Sequence, residues 1–170
     1  IVQEAKQHPD KVFHANVICD GDPLEIYTSR EGEVIFKKYS LLGGVEDFAA
    51  ELCETMSRST GSVCAVTDRD TVIAVAGGSK RELMGKRITP ELEQIMESRK
   101  IYQYSGEGRP LQVTEGSDTL LTAVAAPILA EGDLLGLVLF ISSDGAAVTG
   151  DTEYKLAQTI AAFLGRHMES

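Results

Sequence analysis

The chain has 170 residues, of which 43% are hydrophobic and 25% charged. That composition suits a globular domain with a real core and room for a small appendage, and it excludes an acidic disordered tail. The formal net charge of −10 excludes a general electrostatic affinity for nucleic acid, so any DNA contact needs a local basic patch.

In chain order, residues 12–18 read as a strand or a short helix. Residues 23–28 and 34–39 alternate and are rich in β-branched and aromatic side chains, which predicts two strands around the turn chemistry of Ser29-Arg30-Glu31-Gly32. The composition changes near Leu42-Gly43-Gly44, which predicts a boundary between residues 1–42 and 43–170. Beyond it, Val45, Phe48, Ala49, Leu52 and Met56 stand at helical spacing over 45–60. Residues 62–68 and 71–76 form a second hairpin closed by Asp68-Arg69-Asp70, and Gly77-Gly78-Ser79 ends it. Short helices are predicted at 81–84 and 90–98, the latter with Pro90 in its first turn and Thr89 as its cap.

A strand follows at 101–104, then a polar, Gly-rich loop over 105–118 around a short strand at 111–113. The most apolar strands are 120–129 and 134–142, joined by Ala130-Glu131-Gly132-Asp133. The last helix, 152–169, carries Leu156, Ile160, Phe163, Leu164 and Met168 as its apolar stripe. This order predicts an α+β sandwich: an antiparallel sheet with the long hairpin central and helices over one face, preceded by a small β-hairpin segment.

No apolar run reaches the ~18 residues a membrane span needs, and IVQEAK at the start lacks the basic-then-apolar pattern of a signal peptide. Cys19, Cys53 and Cys64 are an odd number without paired spacing, which fits a reducing cytoplasm better than a disulfide framework. His8, His14 and Cys19 lack the tight pairing of zinc ligands, so no metal site and no cofactor is expected. No Ser/His/Asp arrangement, P-loop or GxGxxG motif occurs, and Gly77-Gly78-Ser79-Lys80 reads as turn chemistry.

The blocks GDPLEIY (21–27) and GEVIFKKYS (32–40) closely resemble the end of the AbrB-like swapped-hairpin domain. TDRD (67–70), VIAVAG (72–77), PILAEGD (127–133), GLV (136–138) and AAFLGRHME (161–169) resemble a GAF domain. Together they resemble the bacterial sporulation regulators that join the two. The resemblance implies a cytoplasmic, non-enzymatic transcription regulator. It implies paired hairpins that bind DNA, a GAF domain that senses a small molecule, and a homo-oligomer, dimer or tetramer. It makes Arg30, Lys37 and Lys38 the candidate DNA contacts. It places a mostly apolar ligand pocket between the sheet face and the short helices, with Ala74, Ala76, Ser79, Met84, Ile95, Tyr102, Tyr104, Thr122 and Val124 as candidates.

Before Gly21 the chain departs from that family. Phe13, His14, Val17 and Cys19 stand where the family carries basic residues. Residues 1–42 set Lys6, Lys11, Arg30, Lys37 and Lys38 against Glu4, Asp10, Asp20, Asp22, Glu25, Glu31 and Glu33, and are net acidic. Local charge therefore argues for the alternative of a stand-alone GAF ligand-binding or oligomerisation module. One GAF-fold enzyme family, the free methionine sulfoxide reductases, uses reactive cysteines. Cys64 is flanked by Val63 and Ala65 in an acidic domain, which predicts a core thiol rather than a nucleophile.

Overall fold

The computed structural model describes residues 24–28, 31–38, 46–78, 80–143 and 150–169. The candidate element at 12–18, the His8/His14/Cys19 set and Arg30 lie outside these residues. The chain divides into two compact units between Gly43 and Gly44.

In the first unit, the extended segments LEIYT and VIFKK become β1 (Leu24–Thr28) and β2 (Val34–Lys38). They pair antiparallel, with Ile26 opposite Phe36 and Thr28 opposite Val34. Gly32, at φ 86°, supplies the left-handed residue the turn requires. Ile26 is 65% exposed and Val34 is also exposed.

In the second unit, α1 (Glu46–Thr60) leads into β3 (Val63–Thr67) and β4 (Val72–Ala76). Then come α2 (Lys80–Leu83), α3 (Pro90–Ser98) and the two-residue β5 (Tyr102–Gln103). The long hairpin β6 (Leu121–Ala130) and β7 (Asp133–Ser142) precedes α4 (Asp151–Glu169). The strands form one antiparallel sheet in the order β4-β3-β7-β6-β5. Thr89 caps α3 as its sequence predicts, accepting from the Leu92 N–H at 3.4 Å. Glu131 and Gly132 join β6 to β7 with φ of 50° and 87°. Two positive φ values in a two-residue loop match the type I′ turn, whose twist suits the flanking strands. Residues 111–113 make isolated bridges (Gln112 to Leu121) rather than the predicted strand, with Thr114 next to them bridging to Ile88.

Register assigns the side chains to faces. On one face Val63, Ala65, Ala125, Leu137, Leu139 and Ile141 pack in one cluster with Leu83 of α2 and with Leu92 and Met96 of α3. On the other, Phe140 pairs with Cys64 and Val124, and Cys64 pairs with Ala76. Phe140 is fully buried, and hiding a side chain of that size stabilises by about 1.5–3 kcal/mol. This second face lies under α1 and α4: α1 packs on β3 and β4, and α4 on β6 and β7. Central β7 thus touches α3 on one side and α4 on the other. Helices cover both faces rather than the one face that the sequence suggests, because β7 is apolar at every position from Leu134 to Ile141 save Gly136 and buries both sides.

Helix α4 approaches the sheet closely. Ala157, Ala161 and Leu164 are buried, and a Cβ added at Gly165 would run into the Leu129 carbonyl of β6. Among the described residues, no helix is long and apolar enough to cross a membrane.

Candidate ligand-binding site

The α2–α3 face is roofed by α3 and by the segment 104–120. The roof is tied down by backbone bonds: Thr89 N–H to Val113 O (3.1 Å), Val113 N–H to Leu120 O (3.2 Å) and Thr122 N–H to Leu111 O (2.7 Å). The Thr89 hydroxyl adds a bond to the Gln112 carbonyl at 2.8 Å. Sequence reasoning found Thr89 only as a cap, because nothing local shows the partner 23 residues on. The Tyr104 hydroxyl donates to Gly108 O at 2.9 Å and closes the outer loop.

Beneath this roof, Tyr102 pairs with Ala125 and so shares the α2–α3 face. Burial pushes its phenol up from its usual pKa, and the neighbouring Tyr104 adds to the rise. Thr122 pairs with Ile141 on the same face. It is 1% exposed, and its hydroxyl has no hydrogen-bond partner. A buried polar group without a partner costs about 1–3 kcal/mol, so Thr122 marks a place where a polar ligand group would be welcome. The same side of the sheet carries the buried cluster that includes Leu83, Ile88, Leu92, Met96, Val113 and Leu120.

The remaining candidates go elsewhere. Ala74 pairs with Val66, Ala76 with Cys64 and Val124 with Phe140, which turns all three toward α1 and α4. Met84 is 45% exposed, while its neighbour Leu83 takes the core position. Ile95 is half-buried against the α2–α3 cluster. Ser79 lies outside the described residues. Ala76 also borders an open cleft of about 500 Å³ with Gly77, Gly78, Lys80 and Arg81, which Glu54 and Glu82 line as well. Tyr102, Thr122 and Ile95 therefore share the α2–α3 side, with Tyr104 two residues beyond Tyr102; Ala74, Ala76 and Val124 face the other side, and Met84 is exposed.

Cys53 and Cys64 are both buried free thiols. Burial pushes each up to about 12, and for Cys53 the proximity of Cys64 adds to the rise. Neither offers a thiolate at neutral pH. Among the described residues, no group of three or more His, Cys, Asp or Glu side chains is placed to hold a metal. Of the DNA candidates, Lys37 and Lys38 end β2, in register with Glu25 and Leu24.

A five-stranded antiparallel sheet with helices on both faces is the GAF-type fold, and solved structures share it. The GAF domain of an Acinetobacter phosphoenolpyruvate-protein phosphotransferase aligns with a TM-score of 0.58 at 13% identity, over 78% of this chain and 84% of that one. The cofactor-binding GAF domain of the nutrient sensor CodY from Clostridium difficile gives 0.50 at 14%, over 70% and 83%. The type II free methionine-R-sulfoxide reductase of Thermoplasma acidophilum gives 0.57 at 11%, over 76% and 95%. At these identities the likeness is one of fold.

The sequence goes further than fold. The family model described as stage V sporulation protein T C-terminal, transcription factor, matches residues 44–169. Stage V sporulation protein T of Bacillus subtilis (strain 168) is 38% identical over 162 residues, 95% of this chain and 89% of that protein. The chain belongs to the stage V sporulation protein T family, a family of sporulation transcription regulators with a GAF-type domain.

Proposed function

We propose that this chain regulates transcription during sporulation by binding DNA through paired hairpins and sensing a small molecule on the α2–α3 face of its GAF-type domain. The observation that carries the reading is the 38% identity over 95% of the chain, which spans both the hairpin and the sheet. Residues 1–42 are the hairpin domain in this reading and 43–170 the sensor. A lone two-stranded hairpin is marginal in water, and the exposed Ile26 and Val34 give a second copy's hairpin an apolar surface to cover. In this reading Arg30, Lys37 and Lys38 of each chain are the phosphate contacts. At α1–α4, Phe48 lies 5.7 Å from Phe163 and 4.8 Å from His167, ring centroid to centroid, with Phe163 48% exposed. That patch supports association of dimers into a tetramer. The assembly works in the cytoplasm, where its DNA lies.

The orphaned Thr122 hydroxyl supports the sensing half. A ligand enters by displacing the 104–120 roof, and its binding shifts the population between two arrangements of the paired hairpins. The reading assigns no enzymatic step, since the two described thiols are buried and protonated.

A salt-dependent anisotropy titration on sporulation-promoter DNA tests it. Each phosphate contact steepens log K against log salt by about 0.9, so loss of Lys37 and Lys38 should flatten the slope. Absence of binding even at the lowest salt overturns the DNA half. It favours instead a stand-alone ligand-binding or oligomerising module, the reading to which the net acidic first 42 residues point.

A further inference from the structure

We propose that the cleft between α4 and the β5 edge of the sheet binds a small molecule carrying a carboxylate or phosphate on an apolar body. The cleft wraps the sheet edge, with Ala126 opposite Val138 on the α4 side and Pro127 opposite Leu137 on the other, and its lining does not include Tyr102, Thr122 or Ile95. The cleft is open to solvent and has a volume of about 370 Å³, within the range of roughly 300–1,000 Å³ common for small-molecule sites. Ile101, Ala126 and Pro127 give it an apolar floor, and Gln158 of α4 supplies one amide.

Both charged groups on its wall are arginines, Arg99 and Arg166, in a chain whose net charge is −10. Among the described residues neither forms an ion pair: the guanidinium bridges join Arg58 to Glu54 and Arg87 to Glu93. The cleft at the end of β4, by contrast, is lined by Glu54 and Glu82 as well as by Lys80 and Arg81. Planar guanidinium forks match carboxylate and phosphate oxygens.

Arg99 adds a second, backbone observation. It caps α3 in the left-handed region, at φ 60° and ψ 14°, where glycine is the usual residue. The chain keeps a guanidinium at a position that disfavours any side chain, and that position is on the cleft wall. A duplex phosphate backbone needs a row of cations, whereas this cleft offers two, so the occupant is a small molecule rather than DNA.

The test titrates the full chain with phenyl phosphate, followed by calorimetry and by amide shifts, with inorganic phosphate as the probe lacking an apolar body. Phenyl phosphate should bind saturably and more tightly than inorganic phosphate. The shifts should map to residues 99–101, 126–129 and 158–166. Arg166→Gln and Arg99→Gly should each weaken binding by about tenfold or more. Arg99→Gly also relieves the left-handed strain, so its melting temperature should hold or rise, which separates lost binding from lost folding. No saturation, equal binding of inorganic phosphate, unchanged affinity in the two arginine variants, or a response to duplex DNA alone would overturn the proposal. None of these outcomes depends on promoter binding or on Thr122.

Discussion

The two faces of the sheet are built on different rules. Toward α1 and α4 the close approaches are made by small residues: Ala49, Cys53, Cys64, Ala74, Ala157 and Ala161 are all buried on this side, together with the larger Phe140, and Gly165 brings helix backbone against strand backbone. Toward α2 and α3 the contacts are large aliphatics, the roof is held by separate hydrogen bonds, and one hydroxyl is left without a partner. The first face is limited by volume; the second is limited by polarity. A close-packed joint resists change, whereas a tied roof over an unpaired polar group can open when something better fills the space.

Substitutions can break or sharpen that contrast. Gly165→Val should cost the most, about 3 kcal/mol by urea unfolding, because the new side chain must displace the Leu129 carbonyl rather than a flexible side chain. An equally stable variant would mean that α4 is not seated so closely. On the roof, Thr89→Ala loses the α3 cap and leaves the Gln112 carbonyl without its hydroxyl donor. The expected loss is about 2 kcal/mol, with faster hydrogen exchange at residues 111–114. Thr122→Val keeps the shape and deletes the orphan, so the ligand-free protein should gain up to about 1 kcal/mol in thermal unfolding. A loss of stability there would mean that the hydroxyl has a partner.

The smallest effect at neutral pH concerns the thiols. Their folded pKa values, about 12, lie above the ordinary 9.0. The stability from keeping them protonated is therefore complete below pH 9 and is lost as the pH rises toward 12. Each thiol contributes up to about 1.4 kcal/mol per pH unit in that window. Urea midpoints should be flat from pH 7 to 8.5 and fall above pH 9, with a shallower fall in Cys64→Ala. Alkylation of native protein at pH 7.5 should leave Cys53 and Cys64 unmodified until the chain unfolds.

Element positions were legible because local chemistry sets them. Alternation marked β1 and β2, the Asp68-Arg69-Asp70 turn marked the β3–β4 hairpin, Thr89-Pro90 marked the start of α3, and the Glu131-Gly132 tip joined the longest strands. The facing of side chains was not legible, and β6 shows why. A register shift between Thr122 and Val124 puts Thr122 opposite Ile141 but Val124 opposite Phe140. Residues two apart on a strand normally share a face; here a bulge sends them to opposite faces. Grouping Thr122 with Val124 in one pocket follows the regular period, and the extra residue breaks it. Arg99 and Arg166 stand far apart in sequence with no motif linking them, so only the fold places both on one cleft wall.

The contact between Gly165 and the Leu129 carbonyl has a mechanical corollary. At Gly165 main chain rests on main chain, so there α4 has no side-chain cushion over which to ratchet along β6. The terminal helix and the β6–β7 ribbon must swing together, as one lever, whenever either is pushed.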